Sequence, residues 1–205
     1  MDLYLLLGLI GLLYILIFGG MSLLRREGLS AQFATEAVII TAVVVLLVVL
    51  LRVPIHPVLF ILLLYVITLR IRIIVDLANM FARRGKHTQA EKIYSLAYHL
   101  KPDQTSKLII DVNRAILLLQ ENVLDEAIQL FTEILSQTEK DYLGVKYEAA
   151  AHFNLGVAYL RYGNPAKATI EFNSVIDSWP GSLYAQRAQQ ALDRQHHKES
   201  APVEE

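Results

Sequence analysis

The side chains that most often carry out chemistry are scattered along this chain. His87, His99 and His152 lie far apart, and none has a second histidine four residues on, the spacing that places two metal ligands on one helix face. His196 and His197 are adjacent and could chelate a metal weakly, but a solvated tail is the simpler interpretation. The histidines therefore predict neither a metal site nor a general base.

The acidic residues, the glycines and the absence of cysteine also give no indication of a catalytic or metal-binding site. Asp111 and the pair Asp125–Glu126 fit helix capping or a solvated surface, and no glycine-rich phosphate loop is present. The chain has no cysteine, which excludes disulfides, thiolate catalysis and cysteine-ligated metals. His56, at the edge of an apolar run, suits a proton relay or simple solvation, and we favour solvation. We predict no catalytic, metal-binding or cofactor-binding residue, hence no enzyme and no small-molecule substrate.

Charge divides the 205 residues into two parts. Residues 1–76 carry five basic and four acidic side chains, whereas residues 77–205 carry 14 basic and 16 acidic ones. The second part has the composition of a water-soluble domain, and it has no excess of basic residues that could bind the phosphate backbone of a nucleic acid. Nucleic acid is therefore not an expected partner.

Three apolar runs in the first part predict a membrane anchor. With their flanks they cover residues 3–24, 33–51 and 54–75, and each reaches the roughly 20 residues that a helix needs to cross a bilayer. The first run lacks a basic segment before it, so we interpret it as an anchor and not as a signal peptide. The lipid bilayer is thus an expected partner of a three-span anchor within residues 1–76.

Basic residues predict the orientation of this anchor. Arg25 and Arg26 lie in the first loop, and only Arg52 lies in the second. Five more lie at the end of the third run or after it: Arg70, Arg72, Arg83, Arg84 and Lys86. The positive-inside rule then places the N-terminus outside and the C-terminal part in the cytoplasm, as in a bacterial inner or thylakoid-type membrane.

A sequence motif recurs in the second part of the chain. Gly163, Ala168, Phe172, Val175 and Pro180 are spaced five, four, three and five residues apart. The same spacing is kept by Gly85, Ala90, Tyr94, Ala97 and Pro102, and its first four positions by Asn122, Ala127, Phe131 and Ile134. Small residues where two helices cross, an aromatic filler and a terminating proline predict stacked helix pairs.

These residues, with Leu155, Gly156 and Tyr159 ahead of the last copy, resemble the tetratricopeptide repeat. The resemblance implies an all-α fold: a short α-solenoid of three helix pairs over residues 71–182. A capping helix over residues 183–196 and a disordered tail over 197–205 would follow it. No glycine, serine or proline separates the third apolar run from Ile71, so we expect one continuous helix, the alternative being a kink near residues 70–76.

In this family the first helix of each pair lines a concave groove that binds protein. The lining residues implied here are Asn79, Arg83, Val112, Asn113, Ile116, Leu119, Gln120, Phe153, Asn154, Val157, Leu160 and Arg161. One subfamily clamps a chaperone's terminal carboxylate with two asparagines and three basic residues. Asn79 and Asn113 match the asparagines, but Val75, Ala150 and Asn154 replace the basic residues, so we do not expect that ligand.

The sequence therefore predicts a membrane-anchored scaffold. Its groove would bind a protein partner, itself membrane-bound, for assembly or stabilisation of a membrane complex. The alternative is an intrinsic accessory subunit of a larger membrane transport or energy-converting complex, in which the spans matter most.

Overall fold

The structure, a computed structural model, describes residues 2–24, 31–137 and 143–200. Within these ranges the chain forms ten α-helices and no strand, which confirms the all-α class. In chain order the helices are α1 (Leu3–Leu24), α2 (Ala31–Leu51), α3 (Pro57–Thr68), α4 (Arg70–Arg83), α5 (His87–His99), α6 (Gln104–Gln120), α7 (Leu124–Gln137), α8 (Val145–Arg161), α9 (Pro165–Ser178) and α10 (Leu183–Ser200). They divide into two compact units, Met1–Lys107 and Leu108–Glu205.

Two helices of the first unit are long and apolar enough to cross a membrane. They contain the stretches Leu3–Ser22 and Gln32–Leu51, of 20 residues each. At 1.5 Å per residue each stretch rises about 30 Å, the thickness of the hydrocarbon core. The length and composition of these two helices suggest membrane anchoring.

The prediction of a third uninterrupted span is wrong. The third apolar run is divided between α3, which has 12 residues and rises only about 18 Å, and α4, which is bent by 68° relative to α3. Counting the bent pair as one broken span would give up to three crossings. The predicted orientation depended on three crossings, and Arg25 and Arg26 lie outside the described residues, so the orientation stays a prediction.

Local chemistry explains why α3 is short. Pro57 occupies the first turn, and His56 is an extended N-cap whose side chain accepts a hydrogen bond from the Val58 amide, so the helix starts at residue 57 and not at 54. At the other end, the Thr68 hydroxyl donates to the Leu64 carbonyl, a bond that often bends helices. Leu69 then leaves helical geometry, with φ −105° and ψ 13°. The continuous helix we expected is therefore replaced by the kink.

Helices α1, α2 and α3 pack around a small apolar core. Leu7, Ala37, Phe60 and Leu64 are fully buried in it. Tyr14 is also buried, and its hydroxyl lies 2.8 Å from the Thr68 hydroxyl, so each satisfies the other. The remaining large apolar side chains of these helices are mostly exposed, as expected where lipid covers the surface.

Gly11 allows α1 and α2 to approach each other closely. A Cβ atom at this position would lie 2.5 Å from Cγ2 of Thr41, whereas one at Gly8 would meet nothing within 4 Å. We expect Gly11→Ala to destabilise the bundle by about 1–2 kcal/mol through overpacking, and Gly8→Ala to be neutral or slightly stabilising. Thermal unfolding of both variants in mild detergent checks this. Equal midpoints for the two variants would contradict it.

Helices α4 and α5 form the first helix pair. Val75, Ala78 and Ala82 of α4 face Ala90, Tyr94 and Ala97 of α5, and all six are buried. The turn between the helices is made by Gly85 with φ 71°, the left-handed region that glycine tolerates best.

The second unit contains two further helix pairs, α6–α7 and α8–α9, and α10. The core of α6, α7 and α8 includes Phe131 and Leu155, and that of α8, α9 and α10 includes Phe172. Gly156 lies under the Phe172 ring, since a Cβ there would be 2.7 Å from ring Cε1. This contact explains why residue 156, directly after Leu155, is a glycine.

One helix end differs from the sequence expectation. Helix α10 extends to Ser200, beyond residue 196, so residues 197–200 are helical where we expected the tail to begin. Helix α8 begins at Val145 after Gly144, whose φ is 87°. The expected tail at residues 201–205 lies outside the described residues.

Candidate protein-binding surface

The predicted groove residues fall in both units of the structure. Asn79 and Arg83 lie on α4 in the first unit, and the other ten lie on α6 and α8 in the second. Each group forms a surface of its own, so the two groups are described separately.

On α4, Asn79 is engaged within its own helix pair. Its side-chain oxygen accepts a hydrogen bond from the Tyr94 hydroxyl of α5. Burial raises the pKa of the Tyr94 phenol, so it stays protonated and remains the donor at neutral pH. Arg83 is exposed at the end of the helix. Asn79 thus holds α4 to α5, and its side chain is half-buried at the surface.

On α6, the predicted residues separate into core and surface. Val112 and Leu119 are 1% and 4% exposed and belong to the core, so they are not accessible to a partner. Asn113 and Ile116 are half-buried, and Gln120 is exposed. The family resemblance led us to include the two core residues, because sequence spacing cannot distinguish a groove residue from one that packs against the neighbouring pair.

On α8, Asn154 repeats the arrangement of Asn113. The Asn113 amide donates to the Ile109 carbonyl and the Asn154 amide to the Ala150 carbonyl, both over 2.7 Å and both four residues back along the helix. Each bond uses an N–H and leaves the side-chain oxygen as an acceptor. The two asparagines therefore present similar half-buried amides on two helices of one unit.

Arg161 connects these two helices. Its Nη1 donates to the Leu119 carbonyl over 2.9 Å, in the last turn of α6, where a cation also meets the negative end of the helix dipole. The guanidinium has five N–H donors, so this bond does not exhaust it. Arg161 thus contributes positive charge beside Asn154 and Val157 and helps to fix α6 against α8.

Phe153 and Leu160 pack toward α9 and α10, in a core that Val157 also contacts. The Phe153 ring lies 5.8 Å from the rings of both Phe172 and Tyr184, measured between centroids. Leu160 packs against the same core. The sequence did not point to Tyr184 because we assigned α10 only a capping role. The signal available in the sequence was that Tyr184, an aromatic residue, lies in the first turn of α10.

A further contact was also missed. His152 of α8 lies 2.7 Å from a carboxylate oxygen of Glu171 of α9, and both side chains are about four-fifths buried. The two residues are 19 positions apart and belong to no motif, so only the folded helix pair brings them together. Among the described residues, no three histidine, aspartate or glutamate side chains are grouped so as to hold a metal ion. The pair fastens α8 to α9.

Comparison with known families agrees with this arrangement. Residues 112–182 match the family model of the tetratricopeptide repeat. The match covers the C-terminal half of α6 and all of α7, α8 and α9. No curated protein and no solved structure matches the chain. Tetratricopeptide repeats are in general non-enzymatic modules that bind proteins, so the match indicates a protein-interaction scaffold.

Proposed function

We propose that this protein is a membrane-anchored scaffold that binds a protein partner on the α6–α8 surface. The observation that carries the proposal is the pair Asn113 and Asn154, presented alike on two helices within the residues that match the repeat family. Ile116 and Val157 lie beside them, and Arg161 adds a positive charge.

The chemistry of this surface suits an extended peptide or a helix with an acidic end. Two amide oxygens can accept backbone or side-chain N–H groups, the apolar side chains provide contact area, and the guanidinium attracts a carboxylate. Val112 and Leu119 are not part of the surface, so it is smaller than the sequence implied. Asn79 and Arg83 of α4 are proposed as a separate contact surface on the first unit.

The apolar helices at the start of the chain bear on what the partner is. Because α1 and α2 would hold the repeats beside the bilayer, a membrane-bound partner would meet them at high effective concentration. We therefore propose a role in the assembly or stabilisation of a membrane complex, with the repeats in the cytoplasm.

Photo-cross-linking in living cells tests the surface. A photoreactive residue at Asn113 or Asn154 should give one and the same cross-linked protein. The matched control is Ile170 on α9, which is 63% exposed but lies on the second helix of its pair, and it should give little or none. Equal yields from Ile170, or no product from either asparagine, would contradict the proposal.

The alternative, an accessory subunit of a transport or energy-converting complex, rests on the exposed apolar side chains of α1, α2 and α3, which other subunits could cover as well as lipid. Replacing residues 1–69 by an unrelated anchor separates the two. A scaffold keeps its partner after the exchange, whereas an accessory subunit loses its place in the complex.

A further inference from the structure

Helix α4 has a second apolar face that its own helix pair does not cover. Val75, Ala78 and Ala82 are buried against α5. On the opposite side, Ile73, Leu77 and Met80 are 38%, 42% and 39% exposed. Their spacing of four and three residues places them in one line along the helix. A helix that is apolar on two sides requires a second neighbour.

The repeat itself shows what such a face normally meets. Ile73, Leu77 and Met80 precede the turn residue Gly85 by twelve, eight and five positions. In α8, the same distances from Gly163 fall on Ala151, Leu155 and Ala158, which are buried in a core that α7 helps to form. In α6, the first and last of these positions are Ile110 and Leu117, which are also buried. The exposed line on α4 is therefore the face that a neighbour covers in later pairs.

The chain that precedes α4 is α3, an apolar helix, and the exposed line continues from it. Leu62 and Val66 of α3 are 54% and 50% exposed. The Leu69 amide donates to the Tyr65 carbonyl and the Ile73 amide to the Leu69 carbonyl, so the four-residue hydrogen-bond pattern of a helix continues on both sides of the break. Positions 62, 66, 73, 77 and 80 therefore keep one helical register, so the side of α3 that would face lipid leads into the exposed line of α4.

The bend and the charges favour the membrane surface as the occupant. Membrane helices tilt by about 20° on average, so a helix bent by 68° from α3 runs closer to the membrane plane than to its normal. Arg83, Arg84 and Lys86 are exposed at the far end of α4, against the single exposed carboxylate of Asp76 at the edge of the line. An apolar line with a cationic end is typical of helices that lie in the headgroup region of anionic bilayers.

We infer that Ile73, Leu77 and Met80 bind the lipid interface, so that the bilayer takes the place that a preceding helix occupies in the later pairs. The inference rests on the proposed membrane anchoring and extends it from the spans to the first helix pair. The α4–α5 helix pair is then held to the membrane along the length of α4 and not only at the residue where α4 begins.

Fluorescent labelling can test this, because the chain has no native cysteine. Three single-cysteine variants of the full chain, Leu77→Cys, Lys92→Cys and Leu12→Cys, are labelled with an environment-sensitive dye. They are reconstituted in vesicles of phosphatidylcholine and phosphatidylglycerol. Lys92 is exposed on the outer face of α5, and Leu12 is 55% exposed on α1. Lipid-borne nitroxide and aqueous iodide are the two quenchers.

We expect the Leu77 label to resemble the Leu12 label, with strong nitroxide quenching and severalfold less iodide quenching than the Lys92 label shows. Iodide quenching at Leu77 equal to that at Lys92 would overturn the inference. So would shielding of Leu77 from both quenchers, since that would show that a protein or a second copy covers the face. If the Leu12 label also escapes the nitroxide, the membrane anchoring itself fails and the inference falls with it.

Discussion

Replacing Phe172 by alanine should lower the free energy of unfolding of the second unit by about 3–5 kcal/mol, the usual cost of emptying a buried aromatic site. The Phe172 ring is fully buried, lies over Gly156 and packs 5.8 Å from the Phe153 ring. Because α8 and α9 approach each other closely at Gly156, the surrounding helices cannot collapse far into the space left behind. Loss of this ring should therefore loosen the helix that carries Asn154.

Trp179 makes this measurable. It is the only tryptophan of the chain and packs against the same core, so its fluorescence reports unfolding of the α8–α9–α10 region. The control is Ile170→Ala, two residues away on α9 and 63% exposed, which should change stability by less than about 0.5 kcal/mol. A Phe172→Ala variant as stable in urea as the Ile170→Ala variant would show that the α8–α9 packing described above is wrong.

Removing the charge of Arg70 should also have a large effect, about 2–3 kcal/mol, because it leaves a partly buried carboxylate without its partner. Arg70 is the first residue of α4, directly after the bend. Its Nη2 donates to Oε1 of Glu36 on α2 over 2.7 Å, and its Nη1 bonds the other oxygen of that carboxylate. A bidentate pair of this kind fixes direction as well as distance.

The contacts of Gln32 extend this connection to the first helix pair. Its amide donates to Glu36 over 2.6 Å and to the Lys101 carbonyl, just beyond α5, over 3.2 Å. Arg70 and Gln32 thus join α2, the start of α4 and the end of α5. The first helix pair is held against the apolar bundle by this group, so Arg70→Met should loosen the pair as well as destabilise it.

Spin labels at Val38→Cys on α2 and Leu96→Cys on α5, both exposed, measure this effect. The distance distribution between them should broaden in Arg70→Met and Glu36→Gln. The exchange Glu36→Arg with Arg70→Glu should narrow it again in part, which a merely unfolded variant would not do. An unchanged distribution in both single variants would show that the pair does not hold the joint.

Much of the fold could be predicted from residues close together in the sequence. The turns at Gly85 and Gly163 were readable from the sequence because a left-handed φ favours glycine, and Asn122, with φ 61°, fills the same role in the second pair. The small residue and aromatic that follow each turn, such as Ala168 and Phe172, were expected to pack between helices and are buried. The apolar runs of α1 and α2 were equally clear because they have no polar side.

Sequence reasoning failed where the outcome depended on a partner far along the chain. Val112 and Ile116 are both apolar and on one helix, yet Val112 is buried and Ile116 only partly so. Residues such as Glu36 and Arg70, or His152 and Glu171, carry no signal of their pairing at separations of 34 and 19 residues.

By itself, then, the sequence determined the helices, their turns and the division into an apolar and a charged part, because each depends on residues within a few positions of one another. Only the tertiary structure decided that Arg70 is held by Glu36 and that α4 keeps an exposed apolar face. These depend on which helices meet in space, and the spacing of residues along one helix does not encode its neighbours.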